Sequence, residues 1–293
     1  MNRIVGTGVA LITPFNEDGS IDYLSFEKLL SKVIKGGVDF LVVLGTTGEA
    51  TSISKKEKIE LINYVVKFNN NKLPLVLGLG GNNTNKLIEE IKETNLSDFD
   101  ALLSVTPYYN KPTQEGLYQH YARISQASPI PIILYNVPSR TGVNMSSELT
   151  LRLANDFENI ISIKEASGDM NQIKNILENK PNNFEVLSGD DGLTLEIIKN
   201  GGVGVISVIG QTNPNEFSSL VSLALKEEFN EAQIIHDKLY ALYHYLYSEG
   251  NPSGVKALLS LQGICKNFLR LPLSPISDQL FDDLKEHLKN EVN

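Results

Sequence analysis

Short, continuous apolar runs recur along the chain, and each is followed by a segment of helical periodicity. The runs are GVALIT (8–13), FLVVLG (40–45), LPLVLGLG (73–80), DALLSVT (100–106), IPIILYN (130–136), NIISIKE (159–165), NFEVLSG (183–189) and GVGVISV (202–208). They do not alternate apolar with polar, which is the pattern of strands buried on both faces of a parallel sheet. SKKEKIELINYVVKF (54–68) and TNKLIEEIKETNL (84–96) show the intervening helical pattern. Eight such units predict an α/β fold, a (β/α)8 TIM barrel, with an open doubly wound sheet as the alternative.

Beyond the eighth run the periodicity predicts helices near 214–227, 229–247, 254–268 and 277–289. No Gly/Ser or Pro-rich linker separates them from the rest, and SEGNPSG (248–254) is the nearest thing to a break. The chain therefore divides into a catalytic barrel over 1–225 and a C-terminal helical extension over 226–293.

Composition narrows the function classes. The 293 residues are 41% hydrophobic and 21% charged, ordinary for a globular chain, and the net charge is −9. Scattered lysines among an excess of acids disfavour nucleic acid as a partner. No apolar run approaches the roughly 18 residues of a membrane span. The opening MNRIVGTGVALITPF imitates a signal peptide but lacks a cleavage site, so a buried first strand is expected there. A single cysteine, Cys265, excludes an internal disulfide framework and points to a reducing cytoplasm. Its helical-looking surroundings suggest a small core residue rather than a nucleophile.

In a barrel, chemistry gathers at the C-terminal ends of the strands, and the reactive side chains here fall there. Run two ends in Gly45-Thr46-Thr47-Gly48-Glu49, run four in Thr106-Pro107-Tyr108-Tyr109-Asn110, and run five in Tyr135-Asn136-Val137-Pro138-Ser139-Arg140. Run six ends in Lys164-Glu165-Ala166-Ser167-Gly168, and run seven in Gly189-Asp190-Asp191. Lys164 follows Ile160, Ile161 and Ile163 on a strand with no other charge before it. An amine at the end of such a strand is poorly hydrated, which favours the neutral form that attacks carbonyls. The alternatives are a lysine emerging into solvent or one paired with Glu165. Tyr135 closes an apolar strand and could pass protons, or could be a core ring with a wet tip. Tyr108 and Tyr109 are adjacent and cannot both reach one pocket. Thr46 and Thr47 suit a carboxylate, or form only a turn before a helix. Arg140 suits bidentate carboxylate capture or is a surface loop residue.

Asp190 and Asp191 fit a helix N-cap better than a metal. His120, His236, His244 and His287 lack paired ligand spacing, so no metal is expected. Gly78, Gly80 and Gly81 do not complete a dinucleotide fingerprint, and Gly201, Gly202 and Gly204 precede the eighth run rather than follow it. Tyr240, Tyr243, Tyr245 and Tyr247 are expected to serve helix packing or an interface.

The segments GTTGEA (45–50), TPYYNKPTQEG (106–116), YNVPSRTG (135–142), IKEASGD (163–169) and SGDD (188–191) run in order over nearly the whole chain. Together they resemble the dihydrodipicolinate synthase family, and more broadly the N-acetylneuraminate lyase superfamily. The TT pair and the VPSRTG loop favour the former. The resemblance implies condensation of pyruvate with L-aspartate-4-semialdehyde, a step of lysine and diaminopimelate biosynthesis, without metal or other cofactor. It implies Lys164 as the Schiff-base lysine, Tyr135 as proton shuttle, and Thr46 and Tyr109 as its relay, with Tyr109 contributed by a neighbouring subunit. Thr47 would hold the pyruvate carboxylate, Gly189 and Ile206 would line the pocket, and Arg140 would bind the aldehyde substrate's carboxylate. A cytoplasmic homotetramer, a dimer of dimers, is implied as well. A sialic-acid or keto-deoxy-sugar-acid lyase and a non-catalytic ligand-binding barrel are the alternatives.

Two departures follow from the resemblance. Ser253 and Gly254, in NPSGVK (251–256), stand where a more apolar pair with proline is usual, which is expected to alter packing and not chemistry. In lysine-inhibited relatives an inhibitor pocket lies at positions that here are Ala50, Thr51, Lys55, Lys58, Asn82, Lys86 and Tyr108. Lys86 stands where an acid should meet the ligand's ammonium, so weak or absent inhibition by lysine is expected.

Overall fold

The structure is a computed structural model that describes residues 4–291. The first three residues, including the Arg3 of the signal-like opening, and the last two of the extension lie outside the described residues. All eight apolar runs form strands: β1 Gly6–Ala10, β2 Phe40–Val43, β3 Leu75–Gly78, β4 Ala101–Val105, β5 Ile132–Asn136, β6 Ile160–Glu165, β7 Glu185–Ser188 and β8 Gly204–Ser207. They pair in parallel in sequence order, and β8 closes on β1, so the sheet is a barrel and not an open doubly wound sheet.

The helices in chain order are α1 Tyr23–Lys35, α2 Lys55–Asn69, α3 Thr84–Glu93, α4 Gln114–Ala127, α5 Pro138–Thr141 and α6 Ser147–Asp156. They continue as α7 Met170–Asn179, α8 Thr194–Lys199, α9 Pro214–Leu225, α10 Phe229–Tyr247, α11 Ser253–Leu261 and α12 Asp278–Glu291. None is long and apolar enough to cross a membrane, among the described residues.

Side chains divide between two apolar layers because strand residues alternate faces. On β5, Ile133 and Tyr135 belong to the barrel interior with Phe40, Val42, Leu187 and Ile206, while Ile132 and Leu134 pack outward against the helices. The register of β6 against β5 slips between Ile132 and Ile133, so Ile160 pairs with Ile132 but Ser162 pairs with Ile133. That extra residue lets Ile160 and Ile163 both join the outer layer. Lys164 consequently pairs with Tyr135 and shares its face.

The helix expected over 254–268 ends at Leu261. Gly263 takes a left-handed φ of +72°, and Ile264 N–H turns back to the Leu259 carbonyl at 3.0 Å, closing the helix. Cys265 lies past that end as a buried residue, and burial pushes its thiol up to about 11, which suits a core residue. The tyrosines of α10 split between roles: Tyr240 is exposed, Tyr243 is buried, and Tyr247 directs its hydroxyl to Asp191 at 2.8 Å.

Candidate active site

At the C-terminal ends of the strands a cleft of about 540 Å³ is lined by Thr46, Tyr108, Tyr135, Val137 and Arg140. Lys164 is 5% exposed and sits behind the cleft residue Tyr135, with Nζ 4.4 Å from the centroid of its ring. Nζ makes no hydrogen bond or ion pair among the described residues. Pairing with Glu165 does not occur, because adjacent strand residues face opposite ways. Glu165 points into the helical layer and accepts from Asn136 Nδ2 at 3.1 Å, Gln172 Nε2 at 3.0 Å and Ser167 N at 2.7 Å. Burial pushes its carboxyl up, and those donors offset part of the cost.

Gly189 and Ile206 lie on the same side of the barrel interior as Lys164 and Tyr135. Gly189 N donates to the Glu165 carbonyl at 2.7 Å, and a Cβ at Gly189 would stand 3.1 Å from Lys164 Cε. Any larger residue would therefore push against the lysine stem. Ile206, 1% exposed, belongs to the same interior layer as Tyr135.

Thr46–Gly48 makes one 3-10 turn after β2, leaving Thr46 exposed and Thr47 buried. No hydrogen bond joins Tyr135 to Thr46 or Tyr109 among the described residues. Tyr109 is 89% exposed with a left-handed φ of +76°, so a single chain does not bring it to its own cleft. Tyr108 lines the cleft instead, as expected of an adjacent pair that cannot share one pocket. Arg140, carried on the short α5, is exposed and donates from Nη2 to the Asn251 carbonyl at 3.0 Å.

The two aspartates after β7 separate. Asp190 Oδ1 accepts from Gly192 N at 2.8 Å and Leu193 N at 3.3 Å, closing the turn before α8 rather than capping the helix as expected, since the cap position is Leu193 and receives no side-chain bond. Asp191 is not part of that turn's hydrogen bonding. It is 1% exposed and accepts from Val208 N at 3.1 Å, Ile209 N at 2.9 Å and the Tyr247 hydroxyl. Burial pushes its carboxyl up, and burial beside Asp191 pushes the Tyr247 phenol up. The phenol tip is enclosed although the ring as a whole stays partly exposed.

The extension thus reaches the mouth of the barrel through Tyr247, expected only to pack or meet a partner, and through Asn251 and Lys256, to which the sequence patterns assigned no role at the site. Asn251 lay inside the SEGNPSG loop, where an Asn-Pro pair reads as a turn. The departures at Ser253 and Gly254 are packing features. Both are buried, and a Cβ at Gly254 would stand 2.5 Å from the Tyr245 carbonyl oxygen of α10.

The model of the dihydrodipicolinate synthetase family matches residues 3–291. The chain belongs to that family. It is 51% identical over 290 residues to the 4-hydroxy-tetrahydrodipicolinate synthase of Azobacteroides pseudotrichonymphae, with 98% of each chain covered. The crystal structure of dihydrodipicolinate synthase from Aquifex aeolicus superposes with a TM-score of 0.95 at 39% identity, covering 99% of this chain and 98% of that one. The chloride-inhibited dihydrodipicolinate synthase of Acinetobacter baumannii, solved in complex with pyruvate, gives 0.94 at 39% identity, covering 98% and 99%.

Proposed function

We propose that this chain condenses pyruvate with L-aspartate-4-semialdehyde to 4-hydroxy-tetrahydrodipicolinate through a Schiff base on Lys164. The observation that carries the proposal is the buried Lys164 amine, free of any carboxylate partner among the described residues and set 4.4 Å from the Tyr135 ring. The amine attacks the ketone carbon of pyruvate, and loss of water leaves a protonated imine. That imine is the electron sink, so no metal or cofactor is required. Loss of a methyl proton gives an enamine, whose carbon bonds to the aldehyde carbon of the second substrate. The second substrate's amine then attacks the imine carbon, closing a ring and releasing Lys164.

Tyr135 moves protons between Lys164, the substrate and the cleft. Thr46 and Tyr109 complete its relay, with Tyr109 supplied by a neighbouring subunit, a role its exposure allows. Thr47 holds the pyruvate carboxylate, Gly189 and Ile206 shape the pocket around the lysine, and Arg140 holds the carboxylate of the aldehyde substrate. The protein works as a cytoplasmic homotetramer, a dimer of dimers. The barrel of 1–225 carries the reacting groups, and the extension of 226–293 braces them. Sedimentation velocity tests the assembly, and a lone monomer with full activity would remove the proposed role of Tyr109.

The covalent step is tested by adding pyruvate and borohydride and mapping the adduct by mass spectrometry. One reduced pyruvyl group on the peptide holding Lys164 is expected, and its loss in Lys164→Ala. An adduct on another lysine, or full turnover by Lys164→Ala, would overturn the proposal.

A further inference from the structure

Asn251 joins the two carboxylate-binding residues across a long stretch of chain. Its side-chain Nδ2 donates to Thr47 Oγ1 at 2.9 Å, and its backbone carbonyl accepts from Arg140 Nη2 at 3.0 Å. Asn251 is 8% exposed and Thr47 2% exposed, so water does not compete for the contact between them, whereas the Arg140 contact is only partly buried. Asn251 Oδ1 is buried with no partner of its own. Of the two ends of the amide, the nitrogen is the one that meets Thr47.

A hydroxyl has one proton to give and two lone pairs to receive. Where a neighbour donates to the oxygen, the proton stays free to donate elsewhere. Where a neighbour accepts from it, the proton is spent. We propose that Asn251 is a positioning residue that sets the polarity of the Thr47 hydroxyl, keeping its proton for the carboxylate of the keto acid. Through its carbonyl the same residue anchors Arg140, so one loop of the extension registers both substrate carboxylates. This rests on the proposed condensation, in which Thr47 meets the keto acid.

Asn251→Asp tests the polarity with nearly unchanged shape. The carboxylate only accepts, so it draws the Thr47 proton away from substrate. The expected result is a rise of about tenfold or more in the KM for pyruvate, the size of one hydrogen bond to a charged group. The KM for aspartate-4-semialdehyde should stay within about twofold, because the backbone carbonyl that anchors Arg140 is retained, and kcat at saturating pyruvate should change as little. Asn251→Ala, which removes the donor without adding charge, should raise the pyruvate KM by a smaller factor. In the Thr47→Val background Asn251→Ala should have no further effect, since its route of action is gone.

Additive effects of Asn251→Ala and Thr47→Val, an unchanged pyruvate KM in Asn251→Asp, or a loss of kcat alone would each overturn the role. Borohydride trapping at saturating pyruvate, run on every variant, separates the two proposals. If the unsubstituted protein forms no Lys164 adduct, the condensation chemistry fails. If the adduct forms throughout and the pyruvate KM does not follow Asn251, only the positioning role fails.

Discussion

Lys256 of α11 and Glu49, two residues past Thr47, form an ion pair in which both side chains are fully buried. Lys256 Nζ also donates to the Phe268 carbonyl at 2.9 Å, and Glu49 Oε2 accepts from Arg270 N at 3.1 Å. The Phe15 ring lies between the two cations, 4.3 Å from Lys256 Nζ and 4.4 Å from the Arg270 guanidinium carbon. Burial lowers the Lys256 ammonium, and Glu49 opposes that shift. Removing one partner from such a pair strands the other charge away from water. Lys256→Met should therefore cost about 3–5 kcal/mol in urea unfolding, and adding Glu49→Gln should recover most of the loss. A Lys256→Met protein as stable as the parent would show that the pair does not hold the Thr46–Gly48 turn in place.

Arg140→Ala should separate the two substrates. Losing a charge-assisted pair with the aldehyde substrate's carboxylate should weaken its use by roughly 1.5–3 kcal/mol in kcat/KM. Trapping of pyruvate on Lys164 should continue almost unchanged. Initial rates at varied concentrations of each substrate measure this, and a variant that loses pyruvate trapping while keeping the aldehyde's KM would assign Arg140 to the other carboxylate.

Lysine should inhibit weakly or not at all. Of the three lysines at the inhibitor-pocket positions, Lys55 pairs with Glu93 at 2.6 Å and Lys58 with Glu90 at 3.4 Å. Those pairs blunt their repulsion, so the effect narrows to Lys86, which is exposed and makes no ion pair among the described residues. It lines the same cleft as Tyr108, Ala50 and Thr51. Two like charges about 4 Å apart at an effective dielectric near 20 repel by roughly 4 kcal/mol before relaxation and screening. Even about a quarter of that lowers affinity several-fold. Assays with millimolar lysine should show little inhibition in the parent and more in Lys86→Glu, and strong saturable inhibition of the parent at sub-millimolar lysine would refute the charge argument.

Acid should weaken the fold in two separate windows. His120 is 3% exposed with Nδ1 2.8 Å from Thr84 Oγ1, and burial holds its imidazole down at about 4, against 6.5 unfolded. Between those values the unfolded chain binds the extra proton, so stability falls as pH drops from about 6.5 towards about 4, by roughly 3 kcal/mol at most. Glu57, held at about 2 by the Arg270 guanidinium, loses its contribution only as pH falls from 4.5 towards that value. Urea midpoints at pH 7 and 5 should differ in the parent and much less in His120→Asn. An equal pH response in that variant would place the titrating group elsewhere.

The strands and the polar residues at their C-terminal ends were legible in the sequence. Each strand is a contiguous run buried on both faces, and its terminal polar residues are printed directly after it. Lys164 and Tyr135 stood out because each closes such a run. The parity of β6 was not legible: three isoleucines precede the lysine, and only the register slip opposite Ile132 shows which of them face outward. Asp191 could not be told from Asp190 by sequence, since one caps a turn and the other receives Tyr247 from a helix 56 residues away. Asn251 meets Thr47 across 204 positions and Lys256 meets Glu49 across 207, contacts that leave no local pattern in either segment. Apolar periodicity by itself determined the eight strand–helix units, because the hydrophobic effect acts on each segment's own faces, while closure of the sheet was decided by the pairing of β8 with β1. Only the tertiary structure decided which polar atoms meet at the turn after β2, because hydrogen bonds and ion pairs depend on where the C-terminal helices return across the mouth.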